Sequence, residues 1–269
     1  NIDSNILINL AAGLFILPFF LFSATAGQVS DKYEKAMMIR RIKLMEILIM
    51  GAAAAAFAAG SMIALMALLF LMGAQSTFFG PLKYSIIPQH LAPGELVGGN
   101  AMVSMGTFVS ILLGTITGGV LVQIPHGELW IGITVCLVAL AGWGASLGIP
   151  GAPSLSPEIA VRLNPLTQTW RTIGYARRTH SVFLSVLGIS WFWFLGSAYL
   201  TQIPNFTRLI LKSDESVVTL LLTMFSIGIG AGSLLCEKLS GKKVELGLVP
   251  LGSLGLSLFG IDLFLAYDP

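Results

Sequence analysis

Runs of about twenty mostly apolar residues constrain the fold of this chain more than any other feature. A helix of ~20 apolar residues spans the ~30 Å hydrocarbon core of a bilayer. Only 10% of the 269 residues are charged, against about 25% in a soluble domain. We predict an all-α polytopic membrane protein with about eight transmembrane helices, the second and third joined tightly at Gly60. The spans are residues 5–26, 41–59, 61–85, 96–123, 129–148, 181–203, 215–236 and 246–266.

The basic residues divide unevenly between the two ends of these spans. If the spans alternate in direction, Arg208 and Lys212 fall on one side. The other side collects Lys32, Lys35, Arg40, Arg41, Lys43, Lys83, Arg162, Arg171, Arg177, Arg178, Lys238, Lys242 and Lys243. By the positive-inside rule, loops 27–43, 86–95, 149–180 and 237–245 are predicted to be cytoplasmic. The net charge of +2 does not indicate a nucleic-acid partner.

The longest polar stretch, residues 149–180, divides the chain into two parts. It opens with closely spaced prolines, which interrupt helices. Apolar residues then recur at three- and four-residue spacing beside arginines, namely Leu166, Trp170 and Ile173, with Arg177. This pattern predicts an amphipathic helix at the cytoplasmic membrane surface. The expected domains are an N-terminal helix bundle at 1–148, this linker, and the start of a C-terminal bundle at 181–269.

A short pattern occurs twice on the same predicted side of the membrane. Each copy has a glycine, then an acid, then basic residues: Gly27, Asp31, Lys32 and Arg40 in the first, and Gly232, Glu237 and Lys238 in the second. Parallel repeats of this kind build two-bundle transporters. The repeat therefore favours two related bundles over a single one.

Small residues form a stripe along the span 96–123. Gly106, Ser110, Gly114 and Gly118 recur every four residues, about one helical turn. In lipid, such a stripe lets two helix backbones approach closely. It predicts either a static packing seam or a sliding surface between the bundles.

Polar residues within the spans are the candidates for function, because a charge at the bilayer centre costs at least ~2.5–3.5 kcal/mol. Lys83, beside Tyr84, either extends to the cytoplasmic headgroups or faces a cavity and holds an anionic headgroup. Glu46 lies three residues after Lys43, a spacing that predicts a local ion pair. Uncharged polar residues suit interhelical hydrogen bonds or a cavity lining: Gln75, Asn100, Thr201 and Gln202.

Enzyme signatures are weak. His90 and Glu95 have the spacing of the histidine–acid pair of glycerolipid acyltransferases, but that family uses aspartate and a downstream Pro-Glu-Gly block that this sequence lacks. We identify no catalytic residue, metal site or cofactor motif, and the chain is expected not to be an enzyme.

The segment from Gly27 through Asp31 and Lys32 to Arg40 resembles the signature loop of the major facilitator superfamily. The glycine expected after the first basic residue is replaced here by Glu34 or its neighbour. The resemblance implies a two-bundle fold. It also implies that the charged residues of this loop, and of its second copy at Gly232, Glu237 and Lys238, form a cytoplasmic latch between the bundles.

Four further segments resemble the bacterial lysophospholipid transporters, including versions fused to acyltransferase and acyl-acyl-carrier-protein ligase domains. They are residues 76–84, 100–101, 111–119 and 190–196. The resemblance aligns 1–148 with family helices two to six and 181–269 with seven to nine, which implies a fragment. It also implies that Lys83 matches an intramembrane lysine of the family.

These observations lead to one expected function and two alternatives. We expect a secondary transporter of the bacterial inner membrane that moves lysophospholipid by alternating access and supplies phospholipid reacylation. Its expected partners are lysophospholipid or another amphipathic lipid, the bilayer, and the fused enzymatic domains where present. The alternatives are a non-transporting anchor for acyltransferase domains and a facilitator for another amphipathic solute.

Overall fold

The computed structural model describes residues 4–241 and 243–265, and the secondary structure in these ranges is helical. In chain order the helices are α1 (Ser4–Lys32), α2 (Lys35–Ala58), α3 (Met62–Ser85), α4 (Ile87–His90), α5 (Leu96–Leu121), α6 (Gly127–Leu147), α7 (Pro165–Arg178), α8 (His180–Leu209), α9 (Glu215–Leu239) and α10 (Leu248–Leu265). A 3₁₀ turn at Pro93–Glu95 precedes α5. The predicted all-α fold is confirmed. Lys242 and the last residue of the span 246–266 lie outside the described residues.

Seven described helices are long and apolar enough to cross a membrane, rather than the eight expected. The exception is α2, which covers the predicted span 41–59 up to Ala58 and begins six residues earlier. Its first half carries Arg40, Arg41, Lys43 and Glu46, too many charges for a span identified by composition. The helix itself was predicted correctly, and so was its tight connection to α3, where Gly60 has a φ of +61°.

The predicted loop 27–43 is wrong. Helix α1 continues through Gly27 and Asp31 to Lys32, and α2 begins at Lys35. Tyr33 and Glu34 alone connect the two helices. The second copy behaves similarly, because α9 continues through Gly232 and ends at Leu239. A single glycine weakens a helix by only about 1 kcal/mol, and neither glycine ends one here.

The chain separates into two compact units, of which the first comprises residues 1–90 and 114–219. In this unit α3 packs on α1 and α2, α2 packs on α6, and α7 packs on α1. Helices α2 and α6 are antiparallel along their length, since Arg40 reaches Ser146 and Ala54 touches Gly132. Helix α2 therefore packs against α6, which is long enough to span a membrane, from one end to the other.

Close backbone packing joins α1 to α3. At Gly73 an added Cβ would collide with the carbonyl of Phe15 and would lie 3.1 Å from Pro18 Cγ. A glycine is required there because no side chain fits against the backbone of α1. Near the C-terminus of α3, the buried side chains of Ile39 and Ile42 pack against Leu82. These contacts join α1, α2 and α3 into one packed group.

The second unit comprises residues 91–113 and 220–269. Here α5 and α9 pack as an antiparallel pair. The rings of Phe108 and Phe225 lie 6.4 Å apart between centroids, and the side chain of Met105 contacts Gly230. These contacts use a face of α5 different from its small-residue stripe.

Candidate functional site

A charged network lies in the seam between α2 and α3. Lys43 Nζ is 2.8 Å from Glu46 Oε2, which confirms the predicted ion pair. The amide of Gln75 donates to the same carboxylate oxygen at 2.7 Å. Glu46 follows the start of α2 by 11 residues, or ~16 Å along the helix axis, and Gln75 precedes the end of α3 by ten, or ~15 Å. Glu46 and Gln75 therefore both lie near the middle of their helices, and α3 is long and apolar enough to cross a membrane.

The side chain of Lys43 connects three helices. Its ammonium lies 4.9 Å from the ring centroid of Phe79 on α3. It also lies beside Gly142 of α6, which has no side chain to exclude it. The side chains of Lys43 and Glu46 are 20% and 14% exposed, so both charges are largely removed from solvent. The arrangement compensates each buried charge with the other and holds α2 to α3 by hydrogen bonding.

Lys83 and Tyr84 lie in the last turn of α3. The Lys83 ammonium is 5.0 Å from the Tyr84 ring centroid, the lysine is half-buried, and the tyrosine is exposed. A cation in the last turn complements the negative end of the helix dipole. The pair lies about eight residues, or ~12 Å of helix rise, from Gln75. Lys83 thus lies towards the end of the candidate span Met62–His90, seven residues before His90, and Gln75 lies near its centre.

The hydrogen bonds seen for two of the remaining predicted binding residues lie within their own helices. Asn100, in the second unit, donates to the Leu96 carbonyl of its own helix. Thr201 likewise donates to Ser197 within α8, and Gln202 is exposed. Their participation in substrate binding stays a prediction.

The first predicted latch is occupied by contacts within its own unit. Arg40 donates to the carbonyl oxygens of Ser146, Leu147 and Ile149 at 2.9–3.3 Å. These are carbonyls at the C-terminus of α6, which a cation stabilises. Asp31 accepts through its backbone carbonyl from the Ser154 hydroxyl and the Ser156 N–H, while the ammonium of Lys32 lies 5.9 Å from the Tyr33 ring centroid.

A clasp that the sequence did not reveal fixes the linker to the α1–α2 connection. The Glu34 carboxylate caps α2 by accepting from the N–H groups of Ala36 and Met37, and it also accepts from Ala152 at 2.7 Å. The Lys35 N–H donates back to the Ala152 carbonyl at 2.9 Å. Burial alone would raise the pKa of the Glu34 carboxyl. The three N–H donors outweigh burial and, with the charge of Arg40, hold the pKa below its usual value.

We expect Glu34→Ala to release residues 150–156 from α2. The substitution removes a helix cap, which costs about 1 kcal/mol, and a hydrogen bond to the linker. Hydrogen–deuterium exchange should therefore be several-fold faster at Ala152. Because the pKa of Glu34 is lower folded than unfolded, its stabilisation is complete above the unfolded pKa and is lost as pH falls through the folded pKa. In the unsubstituted protein the clasp should loosen only in acid.

Glu95→Ala is the matched control for this substitution. Glu95 also accepts from a backbone N–H, that of Ala92 before the 3₁₀ turn, and it belongs to the second unit. Exchange at Ala152 should be unaffected. Equal exchange rates in Glu34→Ala and the unsubstituted protein would show that the clasp does not hold the linker.

The side chain of Glu237, the acid of the second predicted latch, packs against the first turn of α5. The Glu237 carboxylate of α9 is so close to Gly98 that a Cβ added there would lie 2.6 Å from its Oε1. An acid near a helix N-terminus is stabilised by the helix dipole. Gly232 has no neighbouring atom within 4 Å of its Cβ position. Within the second unit, Glu237 thus connects the end of α9 to the beginning of α5, near its neighbour Lys238.

The small-residue stripe of α5 is exposed in the described structure. No atom lies within 4 Å of a Cβ built at Gly106, Gly114 or Gly118, and the Ser110 hydroxyl donates to the carbonyl of Gly106. The predicted packing against another helix stays a prediction. The stripe is a smooth face on which a helix backbone fits closely.

Among residues 4–241 and 243–265, no group of three potential metal ligands is close enough to hold an ion. An apolar groove of about 270 Å³ lies between α2 and α6, lined by residues such as Ala54, Leu129 and Ile133. The predicted binding residues do not line it. The charged seam and the Lys83–Tyr84 pair are therefore the chemically distinctive features of the first unit.

Comparison with known proteins agrees with this helical architecture. The family model described as Major Facilitator Superfamily matches residues 3–269. No solved structure is significantly similar to the chain.

Curated relatives of the chain carry the name lysophospholipid transporter LplT, and three of them serve as examples. The protein of Cronobacter sakazakii is 27% identical over 84% of this chain and 55% of its own length. That of an Enterobacter species is 27% identical over 90% and 59%, and that of Klebsiella pneumoniae is 26% identical over 90% and 59%. This chain thus spans less than three-fifths of the length of these relatives.

Proposed function

The chain belongs to the major facilitator superfamily, and from this membership we propose that it is part of a secondary transporter for lysophospholipid. In this proposal the protein resides in the bacterial inner membrane as a multi-pass protein. It moves lysophospholipid across or between the leaflets by alternating access and thereby supplies reacylation, carried out by acyltransferase domains that act with it. The proposal concerns the whole protein as the cell makes it.

The observation that carries the proposal is the similarity to lysophospholipid transporters over 84–90% of the chain. The chemistry of the Lys83–Tyr84 pair supports it. A lysine at the end of a span offers a point charge for a phosphate, and an exposed tyrosine ring suits the membrane interface. A lysophospholipid has a phosphate headgroup at that depth and a single acyl chain that extends into the core.

The charged seam supports transport over simple anchoring. A membrane anchor is served by apolar helices, and each ionised side chain near the bilayer centre costs several kcal/mol unless it is compensated. In this proposal Lys43, Glu46 and Gln75 hold a compensated pair at that depth, and their mutual hydrogen bonds support it. We expect such a network to keep the helices of the bundle in a defined register while the bundle moves as a rigid body.

The decisive experiment measures flipping of a fluorescent lysophospholipid in vesicles that contain the protein. Flipping should exceed that of protein-free vesicles and should be competed by unlabelled lysophospholipid more strongly than by diacyl phospholipid. Rates equal to those of protein-free vesicles would contradict the proposed transport and favour the anchor.

The two signature segments are proposed to act as the cytoplasmic latch between the bundles. Asp31→Asn removes one negative charge from the end of α1 without changing its shape, and it should shift the balance between inward- and outward-open states. Cysteine accessibility at cytoplasmic positions measures that balance. Ser154→Ala is the control, because it removes a contact to the Asp31 carbonyl and leaves the charge. Unchanged accessibility in Asp31→Asn would count against the latch.

A further inference from the structure

Helix α7 presents one face to the protein and leaves the other uncovered. Gln168 is 6% exposed and bonds to Gln28 of α1 at 3.1 Å. On the uncovered side Leu166 is 61% exposed and Trp170 is 67% exposed. Large apolar side chains exposed to this degree on a helix outside the spans mark an interaction surface.

The uncovered side is also strongly basic. Between residues 159 and 180 the sequence contains four arginines and no acid. The guanidinium groups of Arg177 and Arg178 lie over the rings of Phe183 and Tyr175, at 5.4 and 5.0 Å from their centroids. This stacking orders the two arginines beside the apolar residues. Guanidinium groups bind phosphates in bidentate geometry, so the charge of this surface is complementary to phosphate-bearing partners.

Neighbouring segments fix the position of α7 along the direction of the membrane spans. The helix lies between α6 and α8, both of which are long enough to span the membrane, and its N-terminus is capped by the Asn164 side chain. Just before it, Arg162 bonds through its backbone to Thr25 and Gln28 of α1. Because α1 is itself a span, α7 is positioned where that span leaves the bilayer.

We propose that α7 docks on anionic phospholipid headgroups of the bilayer. The docking face consists of Leu166, Trp170, Arg171, Arg177 and Arg178. The leucine and tryptophan insert at the interface while the arginines bind phosphates. The occupant is a resident bilayer lipid rather than the transported lysophospholipid, so the inference does not depend on the proposed function. Docking ties the linker to the membrane surface in lipid mixtures rich in anionic headgroups.

The test places an environment-sensitive fluorophore on the docking face of the full protein. Cys136 and Cys236 are the free cysteines to replace with serine, and Thr167→Cys then takes the label. In nanodiscs the emission should rise with the fraction of phosphatidylglycerol and stay flat in phosphatidylcholine alone. The variant R171Q/R177Q/R178Q should lose roughly fivefold in apparent affinity per arginine, since each basic residue near an anionic surface contributes about that factor.

Three controls separate docking from other effects. R171K/R177K/R178K keeps the charges and should retain most of the response, whereas R208Q/K212Q, at the other end of α8, should leave it unchanged. High salt should weaken the response of the unsubstituted protein, which tests the inference without substitution. Equal emission in the two lipids, or an unchanged response in the glutamine variant, overturns the proposal. Displacement by added lysophospholipid would also overturn it, by assigning the face to the substrate.

Discussion

Lys83→Ala is expected to reduce lysophospholipid flipping by roughly 10- to 150-fold, the equivalent of ~1.5–3 kcal/mol for one charge-assisted hydrogen bond. Lys83 is half-buried in the last turn of α3, where a phosphate at the membrane interface can reach its ammonium. Initial rates in vesicles with a fluorescent lysophospholipid measure the effect. The loss should appear at saturating substrate as well if the headgroup is held more tightly during passage than on arrival.

Two substitutions bracket this result. Lys83→Arg keeps a cation at the same place and should retain much of the rate, though with altered headgroup preference, because the guanidinium binds phosphate as a fork rather than as a point charge. Arg41→Ala removes an exposed cation from α2 and should leave flipping near normal. Unsubstituted rates in Lys83→Ala would refute the headgroup role and leave the lysine as an interfacial anchor of α3.

The sequence predicts most of the helices because their signal is local. Long apolar runs mark the spans, and the tight connection at Gly60 follows from a residue that adopts positive φ easily. The Lys43–Glu46 pair follows from a three-residue spacing. Each of these predictions depends on residues within one or two helical turns of each other.

The predictions that failed depend on residues far apart in the chain. Residues 27–43 were expected to be a loop because their charges resemble a cytoplasmic connection, yet the helices run almost to each other. Glu34 ends that connection by capping α2 and binding Ala152, 118 residues away. Arg40 similarly bonds to the end of α6, more than a hundred residues away. Neither partner has a sequence pattern that identifies it.

The candidate site shows the same division between local and distant information. Gln75 was singled out as a polar residue at membrane depth, but its partner Glu46 lies on another helix, 29 residues away. That hydrogen bond is the first of the two alternatives predicted for Gln75, an interhelical hydrogen bond, and its participation in substrate binding stays a prediction. The role of Lys83 in holding a headgroup stays a prediction.

Glu46→Ala is expected to destabilise the protein by up to about 3 kcal/mol, because removing one member of a largely buried ion pair leaves the other uncompensated. Lys43 would retain a positive charge near the bilayer centre, and the amide of Gln75 would lose its acceptor. Thermal unfolding in detergent should show a lower midpoint. The apolar double variant K43L/E46L should recover most of the loss, since it removes both charges together.

A double-mutant cycle separates this expectation from a weak local pair. If Lys43 and Glu46 interact as at a protein surface, the coupling energy should be no more than about 1 kcal/mol, and K43L/E46L should be no more stable than Glu46→Ala. A larger coupling energy would show that burial between α2 and α3 strengthens the ion pair. Adding Gln75→Leu extends the cycle across the two helices. If its effect vanishes once Glu46 is replaced, the hydrogen bond between α3 and α2 is the route by which the charged pair fixes the register of the bundle.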